Sequence, residues 1–124
     1  FRTEGDCPAG TSGPGSAVDQ NGHGTHVSGI ISGALGTAPD ADIIALKVFT
    51  TGDTSDTNIL NALNAIVANH ATWQTRVVNM SLGGGNYPDQ ASCDADNTAY
   101  AAAFAQLNAL GIANFVATGN DGST

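Results

Sequence analysis

"RVVNMSLGGG", residues 76–85, is the stretch from which the fold follows. Val77, Val78 and Met80 are β-branched or apolar in a short run, the composition of a strand buried in a sheet, and "SLGGG" ends the run abruptly. On the N-terminal side, Ile59, Leu60, Leu63, Ile66 and Val67 fall at helical spacing and leave Asn58, Asn61, Asn64 and Asn69 largely on the other face. That pattern predicts an amphipathic helix covering a sheet. The polar loop "TTGDTSDT", 50–57, precedes it and offers Asp56 or Thr57 as its cap. Earlier still, "IIALKVF", Ile43–Phe49, is almost continuously apolar, as expected of a strand covered on both faces. On the C-terminal side, a polar loop through Cys93 leads to an alanine-rich helix over 97–110, begun by an Asp94 or Asp96 cap and stopped by Gly111. "IANFVAT", 112–118, is a third strand. The order strand, helix, strand, helix, strand predicts an α/β fold: a parallel β-sheet with flanking helices and right-handed crossovers. Ligands of such sheets sit at the carboxyl ends of the strands, so "SLGGG" and "GNDGS" should be neighbours.

Upstream the chain changes character. Residues 1–18, rich in glycine and without an apolar period, read as a loop or arm, and 19–124 as the core of a partial domain. "VSGIISGAL", 27–35, predicts a short helix buried nearly all round, which "TAPDAD", 37–42, then breaks. Three Lys and Arg against eleven Asp and Glu give a net charge of −8, which repels nucleic-acid phosphates and anionic membrane surfaces, so neither is an expected partner. The charged fraction of 11%, with polarity carried by Ser, Thr, Asn and Gly, favours a secreted protein. Cys7 and Cys93 allow one disulfide, far below the density of a disulfide-built scaffold. No run reaches the roughly 18 apolar residues of a membrane span.

"NGHGTHVSG", residues 21–29, holds two of the three histidines of the chain. Three chemistries compete for it: a metal site, a phosphate-cradling loop, or a catalytic base at a helix start. Helical ligand pairs sit about four apart with a glutamate in the best-known motif, which "HGTH" lacks, and His70 is the remaining histidine, so no metal is expected. A phosphate loop would need a lysine and a preceding strand. The base reading gains from the company the motif keeps. "NGHGTHVSGII", "APDADIIALKVF", "VVNMSLGG" and "FVATGNDG" occur in the order and approximate spacing of the subtilisin-like serine proteases, which the chain resembles over roughly residues 19–124.

The resemblance implies part of a three-layer α/β/α domain and a set of roles. His23 matches the catalytic histidine; His26 does not share that role and is expected to be structural. Asn120 matches the asparagine whose carboxamide binds the oxyanion of the tetrahedral intermediate. Ser81, Leu82 and Gly83 match the stretch that pairs with an extended substrate and walls the primary specificity pocket, with Ala117, Thr118 and Gly119 as the other wall. Residues 53–55 would line the far side of the peptide, with Asp53 and Asp56 favouring basic substrate side chains.

The pattern also breaks. The family's aspartate lies in Asp-Ser-Gly or Asp-Thr-Gly after a buried strand, and neither Asp6 nor Asp19 has that setting; both read as loop acids. Its nucleophile lies in Gly-Thr-Ser-Met-Ala, absent here, and Ser12 of "GTS" at 10–12 is followed by Gly-Pro-Gly instead of a helix. The expectation is therefore the middle of a larger protease domain, inactive alone, of marginal stability or associating, with the missing parts of its own domain as a partner beside the peptide or protein substrate. A peptide-binding module without catalysis is the alternative. No cofactor is implied: "IISGALGT", 30–37, is shorter than the segment that carries a calcium loop in some members, though calcium elsewhere in a full-length protein is compatible. The stretch 86–96 is longer than the family minimum and holds Cys93, whose bond to Cys7 would tie it to the arm before His23.

Overall fold

The computed structural model describes residues 18–49 and 53–120, so the arm, Cys7 and any bond it makes to Cys93, and the residues after Asn120 lie outside the described residues. The elements are α1 (His23–Ser32), α2 (Asp56–Trp73), β1 (Val77–Met80), α3 (Gln90–Asp96), α4 (Thr98–Ala109) and β2 (Ala113–Val116). The chain divides into two compact units, Phe1–Ala62 and Leu63–Thr124, with the division inside α2.

In the second unit β1 and β2 pair in parallel, Val77 against Ala113 through Met80 against Val116. The ladder continues beyond both ends, where the Ala113 amide donates to the Arg76 carbonyl and the Ala117 amide to the Met80 carbonyl, each at 3.0 Å. Two parallel strands need a crossover, and α3 and α4 supply it. Leu107 of α4 and Ile112 before β2 are the most deeply buried side chains, 0% and 2% exposed. Burial of each contributes roughly 1.5–3 kcal/mol. β1 alternates, with Val78 and Met80 buried and Val77 and Asn79 exposed. Along α2 the buried residues Ile59, Ala62, Leu63 and Ile66 repeat at helical spacing, and the asparagines Asn61 and Asn64 are exposed.

Two helix ends make an instructive pair. After α4, Gly111 takes φ 75°, and the amides of Gly111 and Ile112 close on the carbonyls of Asn108 and Leu107, each at 3.0 Å. This six-residue C-terminal closure needs a left-handed residue, for which glycine lacks the Cβ penalty. After α2 the same closure forms, from the Thr75 amide to the His70 carbonyl at 3.0 Å, but Gln74 is the left-handed residue, at φ 54°.

Five expectations require correction. Ile43–Phe49 is not a paired strand: among its residues only Ile44 makes a bridge and only Val48 is buried. An apolar run specifies burial, but a strand also needs a neighbouring strand for its amides and carbonyls, and among the described residues this run has a bridge at Ile44 alone. α1 begins at His23 and buries none of its residues, with Ile30 58% exposed, so it is not enclosed all round. The polar stretch 86–96 is partly helical, because Asp89 caps α3 by accepting the Ser92 amide at 2.8 Å and Gln90 bonds Asp94 one turn on. α4 accordingly starts after Asn97, not from an Asp94 or Asp96 cap. Neither Asp56 nor Thr57 caps α2: Ser55 does, its Oγ accepting the Asn58 amide at 3.3 Å.

Candidate active site

His23 is the first residue of α1 and is exposed. Gly22 before it adopts φ 94°, a left-handed conformation that glycine takes without the strain a Cβ would add. The turn is organised by a carboxylate. Oδ1 of Asp19 accepts the amides of Asn21 (2.9 Å) and Gly22 (2.8 Å), and Oδ2 accepts the Thr25 amide (2.8 Å) and Thr25 Oγ1 (2.7 Å). Those donors, the Gly22 amide foremost, hold the Asp19 carboxyl far below the usual carboxylate range. The Asn21 side chain accepts the His23 amide at 3.3 Å, and the His26 amide bonds the Gly22 carbonyl at 3.0 Å as the helix begins. Lys47 completes the arrangement: its Nζ donates to the Val18 carbonyl (2.8 Å) and to Oε1 of Gln20 (3.1 Å), one residue on either side of Asp19. His26 is also exposed.

In the second unit the parallel register sends Ser81–Gly83 and Ala117–Gly119 off the same ends of β1 and β2. The two segments run side by side: beyond the Ala117 to Met80 bond, the place a Cβ would occupy on Gly83 is 4.0 Å from the Ala117 carbonyl oxygen. Gly83 and residues 117–119 are exposed, while Ser81 and Leu82 are half-buried. Ser81 Oγ accepts from the Asn79 side chain at 2.9 Å. Asn120 follows Gly119, whose φ is 98°, and is exposed. Asp53 is exposed, and Thr54 Oγ1 donates to the Val48 carbonyl. Asp56 stands in the first turn of α2, where a carboxylate favours the helix dipole.

His70 lies in the last turn of α2 with Nδ1 2.8 Å from the Val67 carbonyl, a bond that fixes the ring within its own helix. Among the described residues there is no group of three His, Cys, Asp or Glu side chains placed to hold a metal ion. Cys93 is half-buried on α3, its carbonyl accepting the Asn97 side chain at 2.9 Å. None of the described helices is long and apolar enough to cross a membrane.

Sequence reasoning passed over Asp19 as a loop acid and Lys47 as a residue within a strand. A signal for Asp19 was available: an acid just before a glycine turn and a helix, with a threonine in the first helical turn, has the donors of a helix start within reach. Nothing in the sequence pattern announces the reach of Lys47 across to Val18 and Gln20.

Comparison with known proteins bears on the family. The model of the subtilase family matches residues 2–124. An alkaline proteinase of Hapsidospora chrysogena is 40% identical over 111 residues, which cover 86% of this chain and 25% of the relative. Subtilisin-like protease 2 of Trichophyton equinum is 38% identical over 109 residues, covering 85% of this chain and 24% of the relative. No solved structure matches. The chain thus spans about a quarter of the length of these curated relatives. With the motifs around His23 and Asn120 falling inside a family match that runs almost end to end, this chain belongs to the subtilase family of serine peptidases.

Proposed function

We propose that the protein to which this chain contributes is a secreted endopeptidase, with His23 as its proton-transfer group and Asn120 as its oxyanion donor. A neutral imidazole takes the proton from a serine hydroxyl as the oxygen attacks the scissile carbonyl, then gives it to the leaving amine. The carboxamide of Asn120 donates to the oxygen that becomes negative, an interaction made in the transition state and not with the substrate, so it lowers the barrier instead of merely tightening binding. An extended substrate adds as a strand along Ser81–Gly83, which with Ala117–Gly119 walls the primary specificity pocket, main-chain bonds supplying affinity and side-chain pockets supplying preference. No stretch of the 124 residues matches the family's Asp-Thr/Ser-Gly or Gly-Thr-Ser-Met-Ala, so the isolated chain does not turn over peptides, because the triad works as a unit.

The observation that supports this reading most is the parallel pairing of β1 and β2, which runs residues 81–83 and 117–119 off neighbouring strand ends. The test is steady-state hydrolysis of an extended peptide amide by the complete protein and its variants. Asn120→Ala should lower kcat by about 10²–10³-fold with KM little changed, the magnitude established for this family's oxyanion asparagine. His23→Ala should remove measurable turnover. Full kcat in Asn120→Ala would reduce the residue to a turn former, and a complete protein that binds the peptide without cutting it would favour the peptide-binding module.

A further inference from the structure

We propose that Asp19 is a positioning residue for peptide hydrolysis, the group that fixes the backbone on which His23 stands. The inference rests on the reading of His23 as the proton-transfer residue. Its geometry is unusual for an exposed loop acid. One carboxylate collects donors from both sides of His23: the amides of Asn21 and Gly22 before it, and the amide and hydroxyl of Thr25 after it. All four bonds are 2.9 Å or shorter and charge-assisted, the stronger class of hydrogen bond. The segment that carries the acid is itself tied down at Val18 and Gln20 by Lys47. α1 buries no side chain that could do this by packing. The direction of His23's Cα–Cβ bond is set by the backbone of residues 21–25, and that backbone closes on Asp19.

A carboxylate is needed for this. Two oxygens accept four donors, whereas a carboxamide has one accepting oxygen and would turn an NH2 group toward the Thr25 amide, donor against donor. Depression of the Asp19 pKa by the same donors keeps the acid ionised throughout the range in which an imidazole can act as a base. Misplacement of a reacting group by about 1 Å costs on the order of 10²-fold in rate, so loosening the loop should be felt in the chemical step and not in substrate binding.

The experiment compares Asp19→Asn with the parent in the complete protein, with kcat expressed per active site by titration with a serine-directed phosphonate, so that unfolded molecules do not count. The expected result is a kcat lowered at least about tenfold with KM within twofold. Equal kcat per active site would overturn the inference, as would a loss confined to KM. Where Asp19→Asn does not fold, Thr25→Val and Thr25→Ser replace it: the serine retains the hydroxyl donor and should keep parental kcat, while the valine should lower it, and equal kcat in both overturns the role. His23→Ala run alongside separates the two claims. If it still reacts with the phosphonate at the parental rate, the base assignment fails and this inference with it; if it does not react and Asp19→Asn is fully active, only the positioning role fails.

Discussion

Around His23 no side chain of the helix is buried, and the local geometry is held by an exposed carboxylate and a lysine; around β2, Leu107 and Ile112 are sealed from solvent and the strand ends follow from packing and a parallel ladder. The two regions carry the two residues matched to the family's chemistry, and they are built by different forces. Hydrogen bonds are directional and local, so a few of them can fix a turn without a core, at the cost of competing with water. Hydrophobic burial is non-directional and needs many residues, but once formed it holds a strand end in place. A mutation should therefore have its effect through geometry in one region and through stability in the other.

The largest effect should come from Leu107→Ala, which removes a fully buried side chain. It should destabilise the Leu63–Thr124 unit by about 2–5 kcal/mol, seen as lost hydrogen-exchange protection in β1 and β2. The amide shifts of Gly22 and Thr25 should stay in place, and equal disturbance of them would break the contrast. Ser55→Ala removes the cap of α2 and should cost about 1 kcal/mol in urea unfolding. Gln74→Gly should act in the opposite direction, raising stability by about 1 kcal/mol, because Gln74 occupies the left-handed position that Gly111 fills after α4. Gly111→Gln should lose a similar amount.

A smaller effect sharpens the polar side. Asp19 and Asp89 both have folded pKa values lowered by the amides they accept, so their contribution is present above the unfolded carboxylate value of about 3.9 and is lost as pH falls through the lowered one. In an acid titration followed by NMR, the Gly22 and Thr25 amides should keep their shifts through pH 4 and change only well below it. Movement centred near 4 would mean that the Asp19 bonds are not made in solution.

Much of α2 and of the second unit was legible in the sequence because pattern and structure agree there. The period of α2, the short apolar runs of β1 and β2, and Gly111 as a helix stop each report burial or a backbone requirement directly. The side-by-side course of residues 81–83 and 117–119 followed from parallel topology alone. What was not legible depends on partners. Ile43–Phe49 has the composition of a strand, yet the ladder that would make it one is a property of a second segment. α1 has the small apolar residues of an enclosed helix, yet enclosure needs neighbours. The contacts of Asp19, a loop acid as read, were not legible for a related reason: its neighbours in sequence are loop-like, and the four donors it accepts come together only in the turn through Gly22 and the start of α1. Asp89, a helix cap inside a stretch read as loop, is the same lesson at α3.

The most direct check on the central claim separates the two histidines of "HGTH", which stand three residues apart on one exposed helix and are otherwise alike in setting. In the complete protein, the rate of covalent reaction with a serine-directed phosphonate should fall to background in His23→Ala and remain near the parental rate in His26→Ala. Parental labelling of His23→Ala, or loss of labelling in His26→Ala alone, would contradict the account.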